Sequence, residues 1–256
     1  MDQIPSYIGT LRSHLLNIPR CILTCTGIRI FGRKIRSLVF STDVAIIKNV
    51  DADAIIAVYP FTPQPSISQA IISVADVPVF VGVGGGMTNG SRSVRLAEYA
   101  EHQGAYGVVV NAPISNETIS QIKAVVDIPV ITTIVSREMD IAGRINAGAD
   151  ILNVSGGVNT AALVADIRQR FPDIPIIATG GPTEADIQRT IQAGANAITY
   201  TPLPPVRSSP SECANIGLIS ARTRATPLLR TSRLAHNLRF LIGLPAHPAS
   251  PIKKNF

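Results

Sequence analysis

Two pairs of adjacent glycines, Gly156–Gly157 and Gly180–Gly181, are the residues of this sequence best suited to hold an anion. Each pair directly follows a run of apolar residues that is typical of a buried strand. Glycines let backbone amides approach an anion closely, and a helix that starts just after them adds the field of its N-terminus. A third glycine run, Gly84–Gly86, lies in an equivalent position. Together they predict an anion site, although tight turns with positive φ angles also use glycine.

Polar side chains at the ends of predicted strands could act on a bound substrate. Asn111 and Asn153 could orient a substrate oxygen, and Thr179 directly precedes the second glycine pair. Structural hydrogen bonding to a neighbouring loop is the alternative, because polar groups inside an apolar barrel need partners. Asp43 is one of few carboxylates that could act as a base, unless it lies within a helix as a surface acid. We therefore predict Asp43, Asn111, Asn153 and Thr179 as catalytic residues. Other polar residues at predicted strand ends are Cys25, Thr26, Tyr59, Thr133, Ser155 and Thr201.

Charged residues near the same strand ends add further candidates. Arg92 and Arg95 could clamp a phosphate, and Glu138 and Asp140 could do acid-base work, with solvated surface positions as the alternative. No lysine stands at a predicted strand end, which argues against a Schiff-base aldolase. The four histidines lie in predicted helices or near the C-terminus, so we predict no metal site. Three cysteines are too few for a disulfide framework.

An internal repeat defines the elements that must position these residues. An Asp-(Val/Ile)-Pro-(Val/Ile) motif opens an apolar run three times, and a Gly-Ala pair opens another run after each motif. The motifs begin at Asp76, Asp127 and Asp173, and the pairs begin at Gly104, Gly148 and Gly194. The half-period is about 23 residues, which accommodates one strand, one helix and two short loops. Eight such units predict a (βα)8 TIM barrel, with a doubly wound open sheet as the alternative.

Apolar runs and helical spacing give the individual elements. Predicted strands lie near 54–59, 78–83, 106–111, 129–134, 150–155, 175–179 and 196–200. Predicted helices lie near 66–74, 91–102, 116–126, 137–147, 159–170 and 183–193. The last of these opens with Thr183 and Asp186, which resemble an N-terminal capping arrangement. The strands are continuously apolar, as buried parallel strands are.

The beginning of the barrel allows two interpretations. Apolar residues at helical spacing predict an N-terminal helix over 6–16, which would plug the bottom of the barrel. We favour a first strand at 20–26 followed by a helix over 33–49, because residues 35–46 show a helical stripe. The alternative places the first strand at 37–41 and leaves little room for a helix before the next strand.

Composition separates residues 1–202, the predicted barrel, from a tail of residues 203–256. The tail holds seven prolines and eight Lys or Arg against one Glu, whereas residues 1–202 hold 15 bases and 16 acids. We predict an irregular tail: a disordered basic appendage, a frame-shifted end, or an arm that binds phosphate backbones or membrane surfaces. Without an eighth helix, apolar surface of the first and eighth strands should be exposed. The chain shows neither a membrane span nor a signal peptide, so we expect a cytoplasmic protein.

The segments Pro175–Asp186 and Ala193–Ile198 resemble the end of the phosphate-binding TIM barrels, which include thiazole synthase, indole-glycerol-phosphate synthase, sugar-phosphate epimerases and several FMN enzymes. Residues 20–202 resemble more closely a bacterial barrel family that often carries a generic hydrolase label. The stretches Ser41–Ile47 and Ala57–Pro63 also look like that family. The tail departs from this resemblance entirely, which places the strand-8 half of a phosphate site in doubt.

This resemblance implies an enzyme of small phosphorylated metabolites with hydrolase, isomerase or lyase chemistry. Gly156, Gly157, Gly180 and Gly181 would hold the phosphate, with no cofactor required and FMN as an alternative. The same barrel also resembles the glycerol-uptake antiterminator type, a sensor that reads a ligand and contacts RNA. We expect a small phosphorylated substrate, no membrane or nucleic-acid partner, and a possible homo-oligomer.

Overall fold

A computed structural model describes residues 15–202, which form a closed barrel of eight parallel strands preceded by a hairpin. The hairpin strands are β1 (Ile28–Ile30) and β2 (Arg33–Ile35). The barrel strands are β3 (Ser37–Phe40), β4 (Ala54–Ala57), β5 (Val79–Gly84), β6 (Gly107–Val110), β7 (Val130–Ile134), β8 (Ile151–Val154), β9 (Ile176–Thr179) and β10 (Ala197–Tyr200). Parallel pairing of β10 with β3 closes the barrel, so the predicted (βα)8 fold is confirmed.

Helices alternate with the barrel strands, and those after residue 64 lie near the predicted places. They are α1 (Val44–Lys48), α2 (Pro65–Val74), α3 (Ser91–His102), α4 (Asn116–Lys123), α5 (Ile141–Asn146), α6 (Thr160–Arg170) and α7 (Glu184–Gln192). The helix predicted from residue 137 begins only at Ile141, because the Asp140 carboxylate caps it by accepting a hydrogen bond from Gly143 N. Residues 137–140 therefore belong to the loop at the carboxyl end of β7.

The apolar strands are buried on both faces, which explains why they do not alternate with polar residues. One set of alternate residues fills the barrel, among them Leu38, Ile56, Phe80, Ile131 and Ile177. The other set packs outward against the helices in a second cluster. Parallel sheets covered on both sides have this continuous apolar pattern.

The first barrel strand is Ser37–Phe40, so the favoured assignment of strand 20–26 and helix 33–49 was wrong. Residues Arg20–Thr24 form a 3-10 helix, and Gly32 (φ 81°) turns the chain between β1 and β2. The apparent helical stripe of residues 35–46 has another origin. Ile35 and Leu38 face the barrel interior whereas Val39 faces outward, as expected of two strands separated by one bend.

The β1–β2 hairpin closes the bottom of the barrel. Ile28, Ile30 and Ile35 are buried in the interior cluster, and the Tyr106 hydroxyl donates a hydrogen bond to Ile30 O over 3.1 Å. The predicted helix over 6–16 lies mostly outside the described residues; of its last residues, Leu16 forms a parallel bridge with Val50. Residues that alternate in a hairpin can fill a barrel mouth as well as a helix can.

The predicted tail, residues 203–256, lies outside the described residues. The exposure of apolar surface expected from a missing eighth helix therefore stays a prediction, and in the described residues Val39 and Ile198 of the first and eighth barrel strands are fully buried. The 3-10 helix Arg20–Thr24 packs beside α7, and its Ile22 is buried in the same outer cluster as these two residues. Gly27 N donates to Asn196 O over 2.8 Å and joins this segment to the chain just before β10.

Candidate functional site

Polar side chains replace apolar ones inside the barrel near the carboxyl ends of β7 to β10. Thr133, Asn153, Ser155, Thr179 and Thr199 each lie an even number of residues after an inward-facing apolar residue of the same strand, which places them on the inner face. We call these five residues the polar layer. The carboxyl ends of the strands are where barrel enzymes place their active sites.

The polar layer is incompletely hydrogen-bonded. Asn153 Nδ2 donates to Thr133 Oγ1 over 3.3 Å, and Thr179 Oγ1 lies 3.1 Å from Ser155 Oγ. Asn153 Oδ1 and Thr199 Oγ1, however, are buried and have no hydrogen-bond partner within residues 15–202. A buried polar atom without a partner costs about 1–3 kcal/mol. Unpaired buried atoms of this kind indicate that a bound ligand would supply the missing hydrogen bond.

The first glycine pair forms an open turn beside this layer. Gly157 has a φ of +61° and is exposed, and a Cβ at this position would meet nothing within 4 Å. Thr160 fixes the turn, since its hydroxyl accepts from Gly156 N over 3.1 Å and donates to Gly157 O over 2.8 Å. Helix α6 begins here without a side-chain cap and without an acidic residue in its first turn. Its N-terminal field is therefore uncompensated.

The second glycine pair differs from the first, because packing or backbone conformation requires a glycine at each of its two positions. A Cβ at Gly180 would approach Ile187 and Ile198 to 2.8 Å, so this glycine lets α7 pack against the barrel. Gly181 has a φ of +89° and makes the turn. Helix α7 carries the predicted capping box between Thr183 and Asp186. The hydrogen bond from the Thr183 side chain lowers the pKa of Asp186, so an ionised carboxylate occupies the end of α7.

A cleft of about 350 Å³ lies next to the first glycine turn. Its lining includes Ser136, Arg137, Glu138, Gly156 and Asn159. A hydrogen bond from the Ser136 side chain lowers the pKa of Glu138, which is therefore ionised at neutral pH. The other acid named on this rim, Asp140, is committed to capping α5.

Two predicted catalytic residues lie away from the polar layer. Asn111 lines a second cleft of about 340 Å³, formed by the loops after β4, β5 and β6. Asp43 lies on the rim after β3, but its carboxylate accepts hydrogen bonds from Ala45 N (2.8 Å) and Ile46 N (3.3 Å) as the N-cap of α1. Its Oδ1 stabilises a helix end, which is a third role beside the catalytic and mid-helix interpretations.

The structure thus brings Asn153, Thr179, Gly156 and Gly157 to one part of the mouth. Thr199 was not singled out from the sequence, although its position two residues after inward-facing Ala197 would have revealed it once the strand was placed. Arg92 and Arg95 are exposed on α3 and line neither cleft.

Within residues 15–202, no group of three or more His, Cys, Asp or Glu side chains is arranged to hold a metal ion. In the same part of the chain, no helix has the length and apolarity needed to cross a membrane.

No protein-family model matches the chain, and no curated protein matches its sequence. Solved structures do match its fold. A putative phosphonomutase from Burkholderia cenocepacia J2315 aligns with a TM-score of 0.54 and 15% identity over 70% of this chain and 91% of the other. A putative dihydrodipicolinate synthetase from Pseudomonas aeruginosa aligns with a TM-score of 0.52 and 13% identity over 64% and 69%.

A phosphonopyruvate hydrolase in complex with oxalate and Mg++ is also similar. It aligns with a TM-score of 0.51 and 15% identity over 66% of this chain and 76% of the other. At such low identity these similarities concern the fold and not the reaction. Together with the closed ring of eight parallel strands, they show that the chain folds as a TIM barrel.

Proposed function

We propose that this barrel is an enzyme that acts on a small phosphorylated metabolite, with hydrolase, isomerase or lyase chemistry. The observation that carries the proposal is the buried, unpartnered Oδ1 of Asn153, which lies inside the mouth on the strand that leads into the open glycine turn. A substrate bound there would pair this oxygen and reach the turn with its anionic end. Two proteins of similar fold, the phosphonomutase and the phosphonopyruvate hydrolase, are named for phosphonates, which carry an anionic group related to phosphate.

The phosphate would bind at Gly156–Gly157 and Gly181. In the described part of the chain, the amides of Gly157 and Gly181 have no protein acceptor and can donate to a phosphate oxygen. The uncapped start of α6 adds a favourable field, and Arg137 lies in the adjoining cleft. Gly180 would contribute by keeping α7 close to the barrel.

The reacting part of the substrate would lie over the polar layer. Asn153 and Thr179 would orient its oxygen atoms, and Glu138, which lines the cleft that contains Gly156, would accept a proton. Asn111 would bind a more distant part of the substrate across the mouth. Asp43 would keep the first loop of the rim in place through its cap of α1.

The test is turnover of a panel of sugar phosphates and phosphorylated carboxylic acids by the purified full-length chain. We expect at least one phosphorylated compound to be converted, its unphosphorylated counterpart to be inert, and inorganic phosphate to inhibit competitively. Glu138→Gln should lower kcat by about 10²–10⁴-fold if Glu138 is the base. Glu117→Gln, at an exposed position in the first turn of α4, is the matched control and should leave kcat unchanged.

Two alternatives predict different results in the same assay. A metabolite sensor would show a ligand-induced rise in melting temperature without turnover, and the shortage of acid-base groups near the polar layer favours this second candidate. An FMN-binding oxidoreductase would be yellow after purification. We also propose that the chain forms a homo-oligomer, which light scattering would measure.

A further inference from the structure

The second cleft, of about 340 Å³, contains no charged side chain among the residues that line it. Tyr59, Phe61, Gly85, Met87 and Asn111 are prominent in its lining. Its volume lies at the lower end of the range of about 300–1,000 Å³ that is usual for small-molecule sites. An uncharged lining gives no compensation to a desolvated ion. The cleft therefore suits a neutral part of a ligand.

Glycines and a strand irregularity shape one wall of this cleft. The pairing of β5 with β6 shifts register between Gly82 and Gly84, and Gly85 has a φ of +100°. A Cβ at Gly85 would lie 2.4 Å from Asn111 N, and Asn111 N donates to Gly84 O over 2.9 Å. The backbone of the glycine turn thus contacts the base of Asn111 directly. Bulges of this kind often re-aim a side chain beside an active site.

The polar groups of the cleft can form hydrogen bonds with one edge of a planar molecule. The side-chain amide of Asn111 makes no hydrogen bond to any residue of the described part of the chain. This amide has an NH2 group that donates and a carbonyl oxygen that accepts hydrogen bonds, and the two lie side by side. The Tyr59 hydroxyl accepts a hydrogen bond from Gln64 N over 2.7 Å, so its own proton remains available for donation.

Two large apolar side chains line the same cleft as the Asn111 amide and the Tyr59 hydroxyl, and both are exposed to water. Phe61, on the loop after β4, is 73% exposed, and Met87, on the loop after β5, is 93% exposed. Both line the cleft. Aromatic rings pack favourably on phenyl groups and on the methionine thioether. An aliphatic ligand would use the same surface less well because it lacks a π face.

We propose that this cleft binds an uncharged heteroaromatic ring with an adjacent N–H and C=O. The ring edge would pair with the Asn111 amide, and the ring face would pack against Phe61 and Met87. This proposal deepens the proposed function and rests on it in one respect, namely that the ring belongs to the same substrate as the phosphate. The substrate class is then a phosphorylated compound that carries a neutral heteroaromatic ring.

The probe is 2-pyridone, titrated into the full-length chain without phosphate and followed by ligand-observed NMR. Two matched compounds separate the contributions, since 2-piperidone has the same N–H and C=O without an aromatic face, and 2-methoxypyridine has the ring without the N–H. We expect 2-pyridone to bind more tightly than either. Inorganic phosphate is titrated separately against the same protein.

Variants then assign the binding to this cleft. Phe61→Ala should weaken 2-pyridone binding by roughly two- to tenfold, as expected for the loss of one aromatic contact. Asn111→Leu should weaken it by about tenfold, because it removes the two hydrogen bonds to the ring edge. Phe31→Ala is the matched control, because Phe31 is also exposed (63%) but lies at the turn of the β1–β2 hairpin, at the bottom of the barrel. It should leave the affinity unchanged.

Equal affinity for 2-pyridone and 2-piperidone, or an unaltered affinity in both cleft variants, would overturn the proposed ring site. Binding of 2-pyridone without binding of phosphate would leave the ring site standing and count against the proposed function. Binding of phosphate without binding of 2-pyridone would overturn the ring site and leave the proposed function standing. A melting curve of each variant identifies any that fails to fold, and Phe61→Leu then replaces Phe61→Ala.

Discussion

The side-chain amide of Asn153 donates a hydrogen bond of 3.3 Å to the Thr133 hydroxyl, while its oxygen is buried without a partner. Replacing the pair with apolar side chains of similar size, Asn153→Leu with Thr133→Val, removes the unpaired oxygen together with both partners of the hydrogen bond. We expect the free energy of unfolding in urea to stay equal or to rise by up to about 1 kcal/mol. Turnover and phosphorylated-ligand binding should be lost.

Asn196 supplies the control for this prediction. Its Oδ1 accepts from Arg168 Nη2 (2.7 Å) and Ile176 N (2.9 Å), and its Nδ2 donates to Thr26 Oγ1 (3.0 Å). Asn196→Leu should therefore lower the free energy of unfolding by about 2–4 kcal/mol. A comparable loss in the Asn153 and Thr133 double variant would show that Asn153 is a structural residue.

Arg144 should determine the position of the loop that follows β6. Its guanidinium is buried, with 7% of the residue exposed, and donates to Thr132 Oγ1 (3.2 Å), Ile114 O (3.1 Å) and Ala112 O. Burial lowers its pKa, and the nearby Asp140 partly offsets this change. Arg144→Met should lower the free energy of unfolding by about 2–4 kcal/mol, measured in urea, because these acceptors lose charged donors. A change below about 0.5 kcal/mol, the size usual for surface substitutions, would contradict it.

Arg137 and Arg92 separate two possible phosphate sites on the rim. Arg137 lines the cleft that contains Gly156, whereas Arg92 is exposed on α3. We expect Arg137→Gln to weaken inorganic phosphate binding by about tenfold or more, measured by calorimetry at constant ionic strength. Arg92→Gln should have no effect. The reverse result would move the phosphate site to the glycine run Gly84–Gly86.

The Cys25 thiol should make the fold sensitive to alkaline pH. Burial raises the pKa of Cys25 from the ordinary value of 9.0 to about 11, and Cys21 adds to the rise. The unfolded chain then releases this proton at lower pH than the folded chain does. The contribution to stability is complete below pH 9 and is lost as the pH rises from 9 to about 11.

The measurement is urea unfolding at several pH values in a Cys213→Ser background. Cys25→Ala should reduce the decline of stability between pH 9 and 11, since it removes the thiol responsible. At pH 8, iodoacetamide should modify Cys21 faster than Cys25, because Cys25 is only 4% exposed. Equal rates of modification would mean that the Cys25 site opens readily.

The repeat and the apolar strand pattern predicted the barrel, because both depend on local properties of the chain. A strand covered on both faces must be apolar throughout, and a fixed spacing of strand and helix leaves few topologies. The capping box at Thr183 and Asp186 was also readable, since its two residues are three positions apart and bond to each other. The polar residues Asn153 and Thr179 were found for the same reason, as exceptions at the ends of apolar runs.

Contacts between distant segments determined the rest. The apolar pattern of residues 20–40 is compatible with a helix or with a strand. The pairing of β3 with β10 and β4 decided in favour of the strand. Gly157 and Gly180 each belong to a glycine pair that follows a barrel strand, yet a Cβ at Gly180 would meet side chains of α7 and β10 whereas a Cβ at Gly157 would meet nothing within 4 Å. The sequence by itself determined the alternation of strands and helices that gives the barrel, because apolar runs and helical spacing are local properties. The tertiary structure decided which polar atoms remain unpaired, because hydrogen-bond partners and packing neighbours come from segments far apart in the chain.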